Sequence, residues 1–336
     1  MSAIIREAMH YKDLRHNILR CELCPHYCLM RSGEQGKCRS RENVSGKLIA
    51  TNYARAIGLS LDPIEKKPLY HFRPGSKIVS LGPNSCNLAC RFCQNYSISQ
   101  FESPTRWMDL DDLHRLIGEY SSLRQVAFTY TEPLTWYEYI YDFATRYPDT
   151  DVVLISNGFI NPAPLAELLP HIKALNIDLK SGTKEFYEQE CGGKQEPVLN
   201  SIQLIHAAGV HLELTYLLIP GLNDSKYELE WISSFMAKLS PDMPLHISAY
   251  HPDYKMDIPP TTADDIARAV TLARKSLNYV YGGNIPLEDL MQTACPDCGT
   301  TVIQRGFGYC TNHLDAQAKC PMCGRAIYGV FDHKVH

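Results

Sequence analysis

The stretch that most constrains this chain is Cys86-Asn-Leu-Ala-Cys90-Arg-Phe-Cys93-Gln-Asn95, where three cysteines fall at the spacing C-x3-C-x2-C. Ahead of it, Lys77-Ile-Val-Ser-Leu81 reads as a β-strand, and Gly82-Pro-Asn-Ser85 breaks it. The cysteines therefore belong on a loop leaving the strand's C-terminal end. A compact loop can wrap thiolates around an iron–sulfur cluster. Three thiolates are one too few for a 4Fe–4S cube, so one iron is left open to a small chelating ligand. The bland alternatives are a zinc knuckle or three unrelated buried thiols.

Thirteen cysteines in 336 residues is a high count, and they cluster: four at 21–38, three at 86–93, Cys191 alone, and five at 295–323. Grouping in threes and fours favours metal sites over scattered core thiols, and in a reducing compartment over disulfides. Cys21, Cys24, Cys28 and Cys38 can complete one tetrahedral thiolate site, for zinc or for a second cluster; spacing does not choose between them. Cys295-Pro-Asp-Cys298-Gly and Cys320-Pro-Met-Cys323-Gly are two knuckles whose prolines and glycines shape tight turns, the zinc-ribbon arrangement. Cys310 and His313 between them read as bystanders.

From residue 77 the chain alternates strand and helix signals. Strands are expected from about Lys77, Gln125, Asp151, Ala174, His211 and Leu245, and helices near 109–121, 135–146, 163–171, 197–207, 225–239 and 262–277. Asp109 and Thr261-Thr262 are candidate N-caps, and Asn223-Asp224 precedes another helix. Six alternating units predict an α/β fold, a parallel sheet with helices outside. With no strand signal left for an eighth pair, the expectation is a partial (β/α)6 TIM-like barrel. Three segments follow: 1–72, an N-terminal helix (1–20) and four-cysteine lead-in; 73–290, the partial barrel; 291–336, the ribbon. In the lead-in, Lys66, Lys67 and His71 read as solvated groups before substrate contacts.

In parallel barrels the strands' C-terminal ends build the active site. Tyr130, Thr131 and Glu132 follow the second strand and Asn157 the third. Asp178 and Lys180 share one face at the end of the fourth. Glu213 and Thr215 alternate inward on the fifth, and Tyr250-His251 follow the sixth. Opposite charges facing into an apolar barrel cost several kcal/mol unless paired or bound to something. A structural salt bridge is the plain alternative for Asp178 and Lys180.

The three-cysteine spacing with an aromatic (Phe92) before the third resembles the radical S-adenosylmethionine (SAM) superfamily signature. Residues 77–255 are similar to its pyruvate formate-lyase activating enzyme group. The resemblance rests on Cys93-Gln94-Asn95, Asp178-Leu-Lys180, the Ile219-Pro-Gly-Leu-Asn-Asp224 turn and Tyr250-His251. Tyr130-Thr131-Glu132 stands where that group carries Gly-Gly-Glu. Residues 20–332 resemble one branch more closely, the AmmeMemoRadiSam system enzymes, through the four-cysteine start, Asp62-Pro-Ile-Glu-Lys-Lys-Pro-Leu-Tyr-His-Phe72 and the C-terminal ribbon. The resemblance implies a 4Fe–4S cluster on Cys86, Cys90 and Cys93. It implies SAM contacts from Asn95, Tyr130, Thr131, Glu132, Asn157, Asp178, Lys180 and His251, and a reductant such as flavodoxin or ferredoxin. It also implies hydrogen abstraction from a glycine of a partner protein, or from a small molecule, and Memo-like or AMMECR-like associates.

Net charge is −4, with 33 basic and 37 acidic residues and no long basic run, which argues against a polyanion-binding role. No apolar run spans a bilayer and the first residues lack a signal-peptide core, so a cytoplasmic enzyme is expected. A non-catalytic zinc-ribbon interaction module would explain 295–323 but not the central cysteines.

Overall fold

The computed structural model describes residues 5–15, 17–306 and 308–331. Its main sheet begins with β1 (Arg55–Pro63), antiparallel to β2 (Lys77–Pro83). Six further strands continue parallel to β2: β3 (Gln125–Phe128), β4 (Asp151–Ser156), β5 (Ala174–Asp178), β6 (His211–Leu218), β7 (Leu245–Ala249) and β8 (Val280–Gly283). The spatial order is β8-β7-β6-β5-β4-β3-β2-β1, and the two-residue strand Arg106–Trp107 lies on the outer edge of β1. β3 and β7 are buried along their whole length, as parallel strands covered on both faces must be.

The crossovers carry α1 (Leu110–Tyr120), α2 (Tyr137–Arg146), α3 (Pro162–Leu168), α4 (Gln195–Ala207), α5 (Lys226–Leu239) and α6 (Ala263–Ala273). Asp109 caps α1 by accepting from the Asp111 amide, and Thr262 with Asp265 closes a capping box on α6. Ser225, one residue beyond the Asn-Asp signal, caps α5. Six strand–helix units are present, as expected, and the sheet stays open among the described residues.

Three features differ from the sequence reading. A seventh parallel strand, β8, follows α6. Its sequence Val-Tyr-Gly-Gly hides it, because glycine weakens any strand signal. The glycines are needed there: a Cβ on Gly283 would sit 2.6 Å from Ser248 Oγ of the neighbouring strand. The helix expected over 1–20 is not formed among the described residues. Tyr11–Asp13 and Leu19–Cys21 pair instead as an antiparallel hairpin, extended by Leu29–Met30. Met1–Ile4 and His16 lie outside the described residues. Finally, β1 comes from the lead-in, so the main sheet starts before the expected boundary at 73. Its partner β2 passes β3 closely, since a Cβ on Gly82 would lie 2.0 Å from the Thr129 carbonyl oxygen.

One apolar core joins Leu19, Met30 and Leu48 of the N-terminal unit to Leu81, Phe128 and Leu154 of the sheet. The C-terminal unit (Thr293–Ala294, Thr301–Gly306, Tyr309–Asn312) packs on the opposite, N-terminal ends of the strands. Buried Arg305 reaches the Tyr70 carbonyl at 2.6 Å, and Tyr328 stacks on His211. No helix of the described residues is long and apolar enough to cross a membrane.

Candidate active site

Because β2 ends at Pro83, residues 84–95 leave the sheet at the C-terminal ends of its strands. The loop is braced from the far side of the barrel. A short helical segment, Lys184–Phe186 running into a π-turn Tyr187–Cys191, presents the Cys191 and Glu190 carbonyls to the Ala89 and Arg91 amides at 2.8 and 2.9 Å. Gly192 then turns the chain away at φ +68°. Asn87 fastens the loop's start: its Nδ2 donates to the Phe159 carbonyl at 2.8 Å, and its Oδ1 accepts from Asn157 Nδ2 at 2.9 Å.

Cys90 is buried and Cys86 and Cys93 are partly so. Burial pushes the Cys86 thiol well above its ordinary range; contact with Cys191 and then burial do the same for Cys90. Burial also raises Cys93, against a hydrogen bond with the Ser99 hydroxyl at 3.2 Å. Burial disfavours the bare thiolates, and a bound cation offsets that cost, since metal uptake displaces thiol protons. A donor set of thiols alone, on one loop, fits an iron–sulfur cluster.

The expected polar residues divide into two groups. Glu132, Asn157, Asp178 and Lys180 come together beside the cysteine loop. Glu132 is buried and accepts from Leu134 N, Ser156 Oγ and Asn157 N at 2.9, 2.8 and 2.7 Å. Burial nevertheless pushes its carboxyl up to about 7. Asn157 Nδ2 lies 3.8 Å from Cys86 Sγ. Lys180 Nζ is 3.0 Å from Asp178 Oδ2, and its charge is felt by Cys90 and Cys93. Burial opposes that charge, but Asp178 and the cysteines outweigh it and raise the ammonium's pKa. The pair sits at the mouth and not within a sealed core, with 32% of the Asp178 side chain exposed.

Asn95 and Tyr130 lie on the rim, where Asn95 Nδ2 donates to the Tyr130 carbonyl at 2.7 Å. Tyr130 adopts φ +71°, the left-handed conformation a glycine takes without strain. A tyrosine is held there because its hydroxyl donates to Asp62 at 2.9 Å and Lys67 lies over its ring at 4.6 Å. Thr131 is turned away, donating to the Pro83 carbonyl at 2.6 Å. His251 is exposed and is not drawn into the group; its Nδ1 lies 3.4 Å from the Pro252 carbonyl.

Several assignments change. Lys67 is buried against Asp62 at 2.8 Å, not solvated. His71 is fully buried between Tyr281 and the Tyr328 carbonyl, and burial pushes its pKa down to about 3. Glu213 does face inward, but at the barrel floor. Burial pushes its carboxyl up, while His211 and His246, at 2.9 and 2.7 Å, more than reverse this and hold it well below the usual range. Thr215 is spent on Asn176, 2.8 Å away.

Sequence reasoning missed Cys191, which packs on Cys90, and Asn223, whose Nδ2 donates to the Lys180 carbonyl at 3.0 Å and so fixes the strand end. The Cys191-Gly-Gly turn and the Pro-Gly-Leu-Asn-Asp turn were visible, but neither spacing says what it touches.

At the far end, Cys295, Cys298, Cys320 and Cys323 bring all four sulfurs within 4.8 Å of one another, close enough for a single metal ion. Cys310 and His313 stand outside that group.

A model of the radical SAM superfamily matches residues 82–229, from the end of β2 into α5. The chain is 40% identical over 333 residues to the uncharacterized protein MJ0808 of Methanocaldococcus jannaschii, covering 96% of this chain and 99% of that one. It is similar in fold to a radical SAM methyltransferase from Sphaerobacter thermophilus, with TM-score 0.50 and 14% identity over 63% of this chain and 67% of that one. A domain of a pyruvate-formate lyase-activating enzyme from Bacteroides vulgatus aligns with TM-score 0.42 and 22% identity, over 47% of this chain and 98% of that one. The superfamily implies a 4Fe–4S cluster and SAM. The chain belongs to one family with the Methanocaldococcus jannaschii protein, and its residues 82–229, which include the cysteine loop and the ends of β3, β4 and β5 that surround it, form a radical SAM superfamily domain.

Proposed function

We propose that this chain cleaves SAM reductively and abstracts hydrogen from a segment of a protein substrate, in the manner of a glycyl-radical activase. The observation that carries the reading is the meeting of Cys86, Cys90 and Cys93 with Lys180 and Asn157 at one mouth. When bound, a three-thiolate 4Fe–4S cluster supplies the electron that breaks the sulfonium C5′–S bond, releasing methionine and a 5′-deoxyadenosyl radical. Cys86, Cys90 and Cys93 would hold that cluster and leave one iron for the SAM amino and carboxylate groups. Lys180 offers a cation to the SAM carboxylate. Asp178 offers an acceptor to its ribose or ammonium, and the Asn157 side chain and Tyr130–Glu132 backbone line the remaining side. Glu132 acts as a positioning residue, since its carboxylate ties the Asn157 backbone to the turn after β3. The C-terminal cysteines would hold zinc in a structural role.

One feature favours a chain segment as substrate. Beside the cysteine loop, Tyr96 and Tyr254 stack at 4.8 Å next to half-exposed Phe101, an aromatic rim suited to a peptide face.

The test is isotope transfer. In an anaerobic, reduced reaction with SAM, proteins labelled with deuterated glycine should pass deuterium to 5′-deoxyadenosine. Transfer from a deuterated small-molecule fraction alone would refute the protein substrate.

A further inference from the structure

The four N-terminal cysteines lie against the catalytic mouth. Cys21, Cys24, Cys28 and Cys38 line one narrow cavity together with Arg41 and Asn87. Asn87 is the residue after Cys86. Its carbonyl lies 2.7 Å from Nε2 of His26, the second residue after Cys24. A second bridge runs from the residue after Cys38: Arg39 Nη2 donates to the Ser99 carbonyl at 2.8 Å, and the Ser99 hydroxyl is 3.2 Å from Cys93 Sγ. Two short hydrogen-bonded paths therefore join the two cysteine groups.

Arg41 says what kind of group the cavity takes. Its side chain is 1% exposed and forms an ion pair with equally buried Glu138 at 2.5 Å through Nη1. Its Nε and Nη2 have no hydrogen-bond partner, although buried guanidinium nitrogens are costly to leave unpaired. Its charge acts on Cys21 and Cys38. Two unpaired N–H donors and a positive charge at a four-thiol cavity suit a group that is anionic and carries acceptor sulfurs of its own. A bare zinc ion offers no such acceptors. Zinc also requires its sulfurs to converge, with Zn–S of about 2.3 Å. Among the described residues, the C-terminal four are the set whose ligand atoms all fall within 4.8 Å; the N-terminal four share a cavity without that convergence. A cube with a ligand at each corner iron spreads its thiolates more widely.

We propose that Cys21, Cys24, Cys28 and Cys38 hold a second 4Fe–4S cluster, which passes single electrons from a low-potential protein donor of the flavodoxin or ferredoxin class to the cluster at Cys86, Cys90 and Cys93. Four thiolates saturate its irons, so it binds no substrate. In each transfer the donor loses one electron, the N-terminal cluster is reduced and reoxidised, and the catalytic cluster gains that electron; no bond is made or broken at the relay. Arg41 balances the relay's negative charge. The relay role rests on the proposed SAM cleavage; the presence of the cluster does not.

The test counts metals and then follows electrons. Iron, sulfide and zinc are measured in anaerobically reconstituted wild type, in the triple variant Cys86→Ala/Cys90→Ala/Cys93→Ala and in the double variant Cys24→Ser/Cys28→Ser. Wild type should carry about eight irons, and each variant about four. The triple variant, with its N-terminal cysteines intact, should keep a reduced-cluster EPR signal that SAM does not alter. A triple variant without iron, or a second zinc per chain that the double variant loses, would overturn the proposal. In the double variant, 5′-deoxyadenosine formation should fall to background with the protein donor and survive with dithionite; wild-type rates with the protein donor would overturn the relay. A wild type holding eight irons but cleaving no SAM would instead refute the activity and leave the second cluster standing.

Discussion

Asp178 and Lys180 give the sharpest mutational test of SAM recognition. Their 3.0 Å ion pair sits at the end of β5, with 32% and 17% of the side chains exposed. Losing one partner of a fully buried pair costs about 3–5 kcal/mol, and an exposed pair is worth about 0–1 kcal/mol. The intermediate exposure puts Lys180→Met or Asp178→Asn at about 1–3 kcal/mol. If both groups contact SAM, that loss falls on the complex, and at about 1.4 kcal/mol per decade the affinity drops about tenfold or more. Neither side chain is a thiolate, so iron content should match wild type. Equilibrium binding of SAM and melting temperature are measured anaerobically on both single variants and on the double variant. Unchanged affinity with a lowered melting temperature, restored in the double variant, would show a salt bridge and nothing more.

Glu132 predicts a pH dependence. Its carboxyl is raised from 4.5 to about 7 by burial, so the folded chain holds this proton more tightly than the unfolded chain. The stability it contributes is complete below about pH 4.5 and is lost as pH rises through about 7, a fall of about 3 kcal/mol. Urea unfolding from pH 5 to pH 8 should therefore show wild type losing stability relative to Glu132→Gln, whose side chain does not titrate; parallel curves would contradict this. Cys295→Ser or Cys320→Ser should lose the C-terminal metal and lower the melting temperature while iron at the mouth is retained; unchanged zinc content in both would refute the ribbon site. Gly82→Ala should cost about 1–3 kcal/mol, because its Cβ would press on the Thr129 carbonyl; a variant as stable as wild type would mean that β2 and β3 can separate freely.

Local chemistry was legible in the sequence wherever spacing or periodicity carries it. The cysteine loop followed from its strand and breaker, the caps Asp109 and Thr262 from their residue types, and six crossovers from alternating runs. Asp178 and Lys180 shared a face because strand side chains alternate. What failed depended on distant partners. Lys67 looked solvated because the Tyr130 ring that covers it is remote in sequence, and the turn that brings its ammonium back onto Asp62 carries no residue signal. His71 and Glu213 looked functional or exposed, but the C-terminal unit and β7 close over them and turn them into the barrel floor. β8 was hidden by its two glycines, of which Gly283 lets it pack against Ser248 and Gly282 against Ile266 and Leu290. The N-terminal hairpin was read as a helix from apolar spacing in a stretch whose strands are only three residues long.

The central claim is that three thiolates at one mouth support reductive SAM cleavage. It is tested most directly by measuring 5′-deoxyadenosine formed from SAM under anaerobic, reducing conditions by wild type and by Cys86→Ala, Cys90→Ala and Cys93→Ala separately. The account predicts cleavage by wild type and none above background by any of the three variants. Cleavage at the wild-type rate by any one of them would remove that cysteine from the site and contradict the account.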